Sequence, residues 1–305
     1  MARRATAGVL VVLVCLLVPL AVAGLWGRDR ILDTEGWADL AAELPGDEAA
    51  RDAVAAEITD VVLDGIGVGE RVRRRAEPVV REAADRALAT DTFAVVWTEA
   101  NRQVHASLIR VLETDEGSEV RLDLRPAVAL VLDAVEEPLA PVAPLPGDVP
   151  EFSSAPTPEE AEAAIEVALG RPLAEDRATV VVIRDDRIAT ARSVYRGVDR
   201  GAFLLAIATA LLAALAIVLG PNRWTTAAAV GLGCAATLLL GWVASLGVGS
   251  VVGGFVGEGI GRSVADAAAG VAADDLGRRY VVTAIVFGVA GLGCAIVGTA
   301  RSRAT

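Results

Sequence analysis

Two uncharged apolar runs, Gly201–Gly220 and Trp224–Gly247, are separated only by Pro221-Asn222-Arg223. At about 1.5 Å rise per residue, each run is long enough to cross a ~30 Å hydrocarbon core. The turn carries a helix-stopping Pro and a single Arg, which suits a tight loop at a membrane face. A chain with such a hairpin folds against lipid. Every other segment must then lie on one side of a membrane or the other.

Two further apolar runs, Ala5–Gly27 and Tyr280–Ala300, complete a set of four. Arginine-only segments flank them: Arg3 and Arg4 before the first, Arg223 in the hairpin turn, Arg301 and Arg303 after the last. With these on the cytoplasmic side, every short loop obeys the positive-inside rule. Both termini are then cytoplasmic, and residues 28–198 and 248–279 lie outside a plasma membrane. Trp26, Trp224 and Tyr280 stand at run ends, where amphipathic rings prefer the interface. The first run has a second reading, because Arg3-Arg4 and Ala21-Val22-Ala23 also fit a cleavable signal peptide. Its length favours an uncleaved anchor, and cleavage would leave three spans without changing the side of the ectodomain.

Charge divides the chain in the same way. Leu25–Arg200 holds 36 acidic residues against 20 arginines, and the chain contains no lysine. The segments read as 1–27, an anchor; 28–198, an acidic extracytoplasmic domain; 199–247, a hairpin with spans 201–220 and 224–247; 248–279, a Gly/Ala-rich outer segment; and 280–305, a fourth span with a basic tail. Cys15, Cys234 and Cys294 all fall in apolar runs. The ectodomain therefore has no disulfide framework, and the three read as small packing residues.

Within the ectodomain, Asp33–Glu43 reads as a short helix stopped by Pro45-Gly46. Asp47 precedes a helix over 48–66, with Val54, Ile58, Val61, Val62 and Leu63 at helical spacing. Glu70–Leu88 is a third helix. It carries Arg71, Arg73, Arg74 and Arg75, but Glu70, Glu77, Glu82 and Asp85 surround them. A solvated face is read there and no nucleic-acid contact. Thr90 or Asp91 caps a helix over 92–113. Glu113, Asp115, Glu116 and Glu119 form an acidic turn without the order of a calcium loop. Val120–Leu124 alternates apolar and charged residues as a half-buried strand, and Pro126 opens a helix to about 137. Pro138–Pro158 reads as an extended linker, Thr157 and Glu160 as the capping box of a helix over 158–169, and Thr179–Ile183 as a second strand. Ile188–Asp199 turns helical into the second span. The expected fold class is an α-helical multi-pass membrane protein. Its mainly helical α+β ectodomain has about two short strands and is inserted between transmembrane helices 1 and 2.

Trp97, Asn101, His105 and Leu108 fall on one helix face, with Arg102 beside them. They form the chemically varied stripe of the ectodomain. One reading is a ligand- or partner-contacting face with His105 titrating near neutrality. The other is a buried Trp, with Asn and His satisfying backbone groups. The lone His, without a nucleophile or acid partner in the sequence, favours the second. After the hairpin, Gly241, Ser245, Gly249, Gly253, Gly257 and Gly261, then Ala265 and Ala269, recur every fourth residue. Small residues at this spacing allow close helix packing, and glycine-rich flexibility is the alternative. Ile260, Val264, Ala268 and Val271 predict an amphipathic helix beyond it.

No G-x-S-x-G, H-E-x-x-H or phosphate-loop motif occurs, and no catalytic, cofactor or metal residues are read. The expected function is a non-enzymatic envelope binding, scaffold or sensory protein. Its partners are the bilayer, a protein or envelope component at the ectodomain, and a second copy through the glycine ladder. A transporter or channel component is the alternative, and an envelope hydrolase ranks below it.

The order of features resembles a group of actinobacterial integral membrane proteins of unknown function. The resemblance rests on Asp33-Thr34-Glu35, on Asp47 through Ile58, and on Trp97-x3-Asn101-Arg102-x2-His105. Val120–Leu124, Ala189-x2-Arg192-x2-Tyr195 and the closing spans continue it, and it covers most of the chain. It implies four spans with a large extracytoplasmic domain between the first and second. It implies no residue roles.

Overall fold

The structure, a computed structural model, describes residues 2–114, 120–152, 156–172, 179–183, 185–246 and 260–303. These residues fall into two compact units. One comprises Met1–Asp33, Ser193–Val252 and Ala269–Thr305; the other comprises Thr34–Arg192 and Gly253–Ala268.

The first unit is built from long helices. Helix α1 spans Ala2–Gly27 and continues into a π-helical turn, Arg28–Leu32. The membrane part of α8 (Asp185–Leu219), then α9 (Arg223–Ser245) and α10 (Ile260–Arg303), complete it. Asn222 caps α9, its side chain accepting from the Trp224 amide at 3.0 Å. The amphipathic segment expected after the ladder and the fourth span are one uninterrupted helix, α10. Four helices, Arg3–Leu32, Ala191–Leu219, Arg223–Ser245 and Ala267–Arg301, are long and apolar enough to cross a membrane. Leu204, Leu211, Val286, Val289 and Ile296 are exposed on them, an apolar surface that suits lipid rather than water.

Their shared seam holds Val14, Cys15 and Val18 of α1, Val230, Cys234 and Leu238 of α9, and Tyr280 and Ala284 of α10. Small residues set the closest approaches. A Cβ on Gly231 would stand 2.7 Å from the Gly291 Cα, and one on Gly24 would stand 3.1 Å from the Ala202 Cβ. The Tyr280 hydroxyl donates to the Pro19 carbonyl at 3.2 Å, so the ring's one polar group is satisfied.

The second unit is helical, which corrects the α+β class expected from sequence. Its helices are α2 (Thr34–Ala41), α3 (Glu48–Ile66), α4 (Glu70–Leu88), α5 (Asp91–Glu113), α6 (Arg125–Leu139) and α7 (Pro158–Leu169). Among the described residues, extended structure amounts to one two-stranded ladder, β1 (Val120–Asp123) antiparallel to β2 (Thr179–Ile183). An isolated pair of this size is not a layer on which a domain is built. The unit is instead organised around α6. From Pro126 to Leu132, then at Val135 and Leu139, α6 is buried on every side, the condition of a core helix. Helices α3, α4, α5 and α7 pack against it.

Local signals fix the ends of these helices. Thr90 accepts from the Phe93 amide, and Thr157 with Glu160 makes a reciprocal capping box. Gly170 ends α7 at φ +65°, a left-handed conformation that costs other residues about 1–2 kcal/mol. The Arg73 guanidinium reaches back to Asp60 and Asp64 on α3 at 2.8 and 2.5 Å. The hydrogen bond to Asp64 holds the Arg73 pKa above its ordinary value.

Candidate functional site

The stripe on α5 is explained by the length of α2. Eight residues separate Trp97 from His105, about 12 Å along a helix, and α2 is itself eight residues long. The Trp97 indole N–H donates to the Ala41 carbonyl at 2.8 Å. Ala41 is the last residue of α2, whose carbonyl has no partner within its helix. Eight residues on, His105 Nδ1 lies 3.2 Å from Thr34 Oγ1, at the first residue of α2. The His105 ring also stacks on Trp37, with centroids 5.4 Å apart. Trp97 and His105 thus clasp the two ends of α2, which runs antiparallel to α5. Both are buried.

Asn101, midway between them, donates to the Trp97 carbonyl within its own helix at 2.9 Å. Arg102 pairs with Glu35 of α2 at 3.1 Å and with Glu99 at 2.5 Å. These two carboxylates, Glu99 first, raise the Arg102 pKa. The Glu99 carboxyl is held below its usual value by hydrogen bonds from Gln103 and then Arg102.

Another flank of α5 is open. A recess of about 410 Å³ lies between α5, the β1–α6 junction at Asp123 and Pro126, and the start of α7 at Pro156–Pro158. Val95 and Val104 supply its apolar wall, Gln103 and Ser107 its neutral polar groups, and Glu99 and Asp123 its acidic rim. Val95 is 59% exposed. Asp123 is already engaged by Arg125 at 2.6 Å, and Arg125 in turn by Glu162 at 2.6 Å. The rim is therefore a fixed charge pattern. Neither Val95 nor this recess was singled out from the sequence. Its other walls come from residues 28 to 63 positions beyond Val95, which no local pattern announces. Among the described residues, no group of three or more His, Cys, Asp or Glu could hold a metal ion.

Three Gly and Ser members of the predicted packing ladder fall among the described residues. Gly241 lies against the Tyr280 ring, where an added Cβ would come within 3.3 Å. Ser245 lies 3.4 Å from where a Cβ on Gly277 would stand. Gly261 falls in the first turn of α10. Gly249, Gly253 and Gly257 lie outside the described residues, as do Asp115, Glu116 and Glu119 of the acidic turn.

Sequence reading also passed over Asp275, which charge had assigned to a hydrophilic outer segment. It sits on α10 with 6% of its surface exposed. It accepts from the Trp26 indole N–H at 2.8 Å and from Arg30 Nε at 3.2 Å. Arg279–Asp29 at 3.1 Å and Arg28–Asp199 at 3.1 Å join the same end of the bundle. A buried carboxylate needs such partners.

Comparison with protein families, with curated proteins and with solved structures finds no match to this chain. Its four apolar helices fit a multi-pass membrane protein.

Proposed function

We propose that the chain is a non-enzymatic binding protein of the cell envelope. It is threaded four times through the plasma membrane with both termini cytoplasmic, and its acidic helical domain lies outside. The domain holds a protein segment or envelope component in the recess beside α5. The observation that carries this reading is the open recess of about 410 Å³, with exposed Val95 inside an acidic rim. An apolar floor with a few fixed polar groups is the usual form of a binding site. The excess of 36 acidic residues over 20 arginines in Leu25–Arg200 favours a partner bearing cationic groups.

The test is a photo-crosslinking residue placed at Val95 in intact cells, with a second at Val167, which is also exposed but on α7. A discrete adduct from position 95, absent from 167 and lost when Gln103→Trp fills the recess, supports the reading. Adducts alike from both positions, or none from 95, refute it. Orientation is read separately with an impermeant thiol reagent: Asp148→Cys labels from outside and Asn222→Cys does not.

A further inference from the structure

The opposite end of the membrane unit carries a second recess, of about 430 Å³. Arg3 and Arg4 of α1, Val218 to Pro221 at the end of α8, and Arg223 at the start of α9 line it. We propose that this recess binds the headgroup of an anionic glycerophospholipid, its phosphodiester held by Arg4 and Arg223.

The three guanidiniums have different duties. Arg3 donates to the Leu219 carbonyl at 3.1 Å and to the Val218 carbonyl at 3.2 Å. These are end carbonyls of α8 with no helical partner, so Arg3 fixes the wall of the recess. Arg4 and Arg223 are exposed, and neither has a hydrogen bond or ion pair among the described residues. No acidic side chain stands near in sequence. The stretches 1–28, 200–257 and 276–305 contain no Asp or Glu. Arg301 lies over the Trp224 ring, 5.1 Å from its centroid, and adds to the positive field.

Elsewhere Arg30, Arg73, Arg102 and Arg125 each pair with a carboxylate of the chain. At this end the counter-charge has to come from outside the chain. The recess opens at the end of helices long and apolar enough to span a bilayer. Exposed Leu211, Leu215 and Val218 on α8 lead away from it as a track for acyl chains. A phosphodiester matches the forked donors of guanidinium, and basic pockets between membrane helices hold such headgroups. The volume lies in the usual range for small-ligand sites, roughly 300–1,000 Å³.

The test uses the full-length chain in neutral detergent, titrated with phosphatidylglycerol, phosphatidylcholine and inorganic phosphate in separate arms. Bound lipid is counted by native mass spectrometry. The variant is Arg4→Gln/Arg223→Gln, which leaves Arg3 on the helix end. Arg71→Gln/Arg75→Gln removes the same charge from α4 and serves as control. Phosphatidylglycerol is expected to bind the parent and the control in preference to phosphatidylcholine. Loss of two guanidiniums is expected to weaken it about thirtyfold, at several-fold for each. Equal binding of the two lipids, or undiminished phosphatidylglycerol binding by Arg4→Gln/Arg223→Gln, overturns the proposal. Inorganic phosphate binding as tightly as the lipid would reassign the site to free anions and overturn it too.

Discussion

Gly231→Ala is the sharpest probe of how the membrane helices pack. The added methyl carbon would stand 2.7 Å from the Gly291 Cα, 2.8 Å from the Phe287 carbonyl oxygen and 2.9 Å from the Gly291 amide nitrogen. All three are backbone atoms of α10, so no side chain can swing aside. Reaching ordinary contact, at 3.4 Å or more, requires α9 and α10 to part by about 0.7 Å. Overpacking of this kind costs about 1–3 kcal/mol. Helix propensity pulls the other way, since Ala in a helix is favoured over Gly by about 1 kcal/mol. Gly293→Ala isolates that second effect: it lies on α10 and an added Cβ meets nothing within 4 Å. The two substitutions are therefore expected to differ in sign. The net cost is then about 0–2 kcal/mol, and thermal unfolding in detergent should show Gly231→Ala melting below the parent by up to about 8 °C. Gly293→Ala should melt at or slightly above it. Gly231→Ala melting no lower than Gly293→Ala would refute the close approach of α9 and α10.

Two further predictions concern the second unit. Trp97→Phe keeps the ring and removes the donor to Ala41, leaving a helix-end carbonyl without its partner. That should destabilise the docking of α2 by about 1–3 kcal/mol, read as faster amide exchange across 34–41 with α6 unaffected. Glu99 has its folded pKa depressed by Gln103 and Arg102. It therefore adds stability above its unfolded value, about 4.3, and that stability is lost as pH falls through the folded pKa. In denaturant melts, Glu99→Gln should be less stable than the parent at pH 7, with the gap closing by about pH 3. A gap that widens on acidification would show that the sign is wrong.

Features that arise within a few residues were legible in the sequence. The bounds of α3, α4 and α7 follow from caps and periodicity, as do the roles of Thr90, Thr157 and Glu160. Features that depend on distant partners were not. Alternation at Val120–Leu124 and β-branching at Thr179–Ile183 speak for extended backbone there, but not for how much of the domain is sheet. The apolar stretch of α6 did not declare itself as the centre, because Ala- and Val-rich helices occur throughout the chain. A four-residue period pointed to small-residue contacts; Gly241 lies against the Tyr280 ring instead, and Ser245 lies near Gly277. The backbone approach of Gly231 to Gly291 joins residues 60 apart on different helices. The α5 stripe was visible, but its purpose needed the length of α2 laid against it.

The hold of Trp26 and Arg30 on Asp275 has a consequence for how the protein is made. The ribosome delivers Trp26 and Arg30 about 245 residues before Asp275. Through most of translation the first helix carries an indole and a guanidinium for which the nascent chain has not yet supplied this acceptor. The last helix brings it, and so fastens the bundle at the end of synthesis. A chain interrupted before Asp275 keeps these donors without that acceptor.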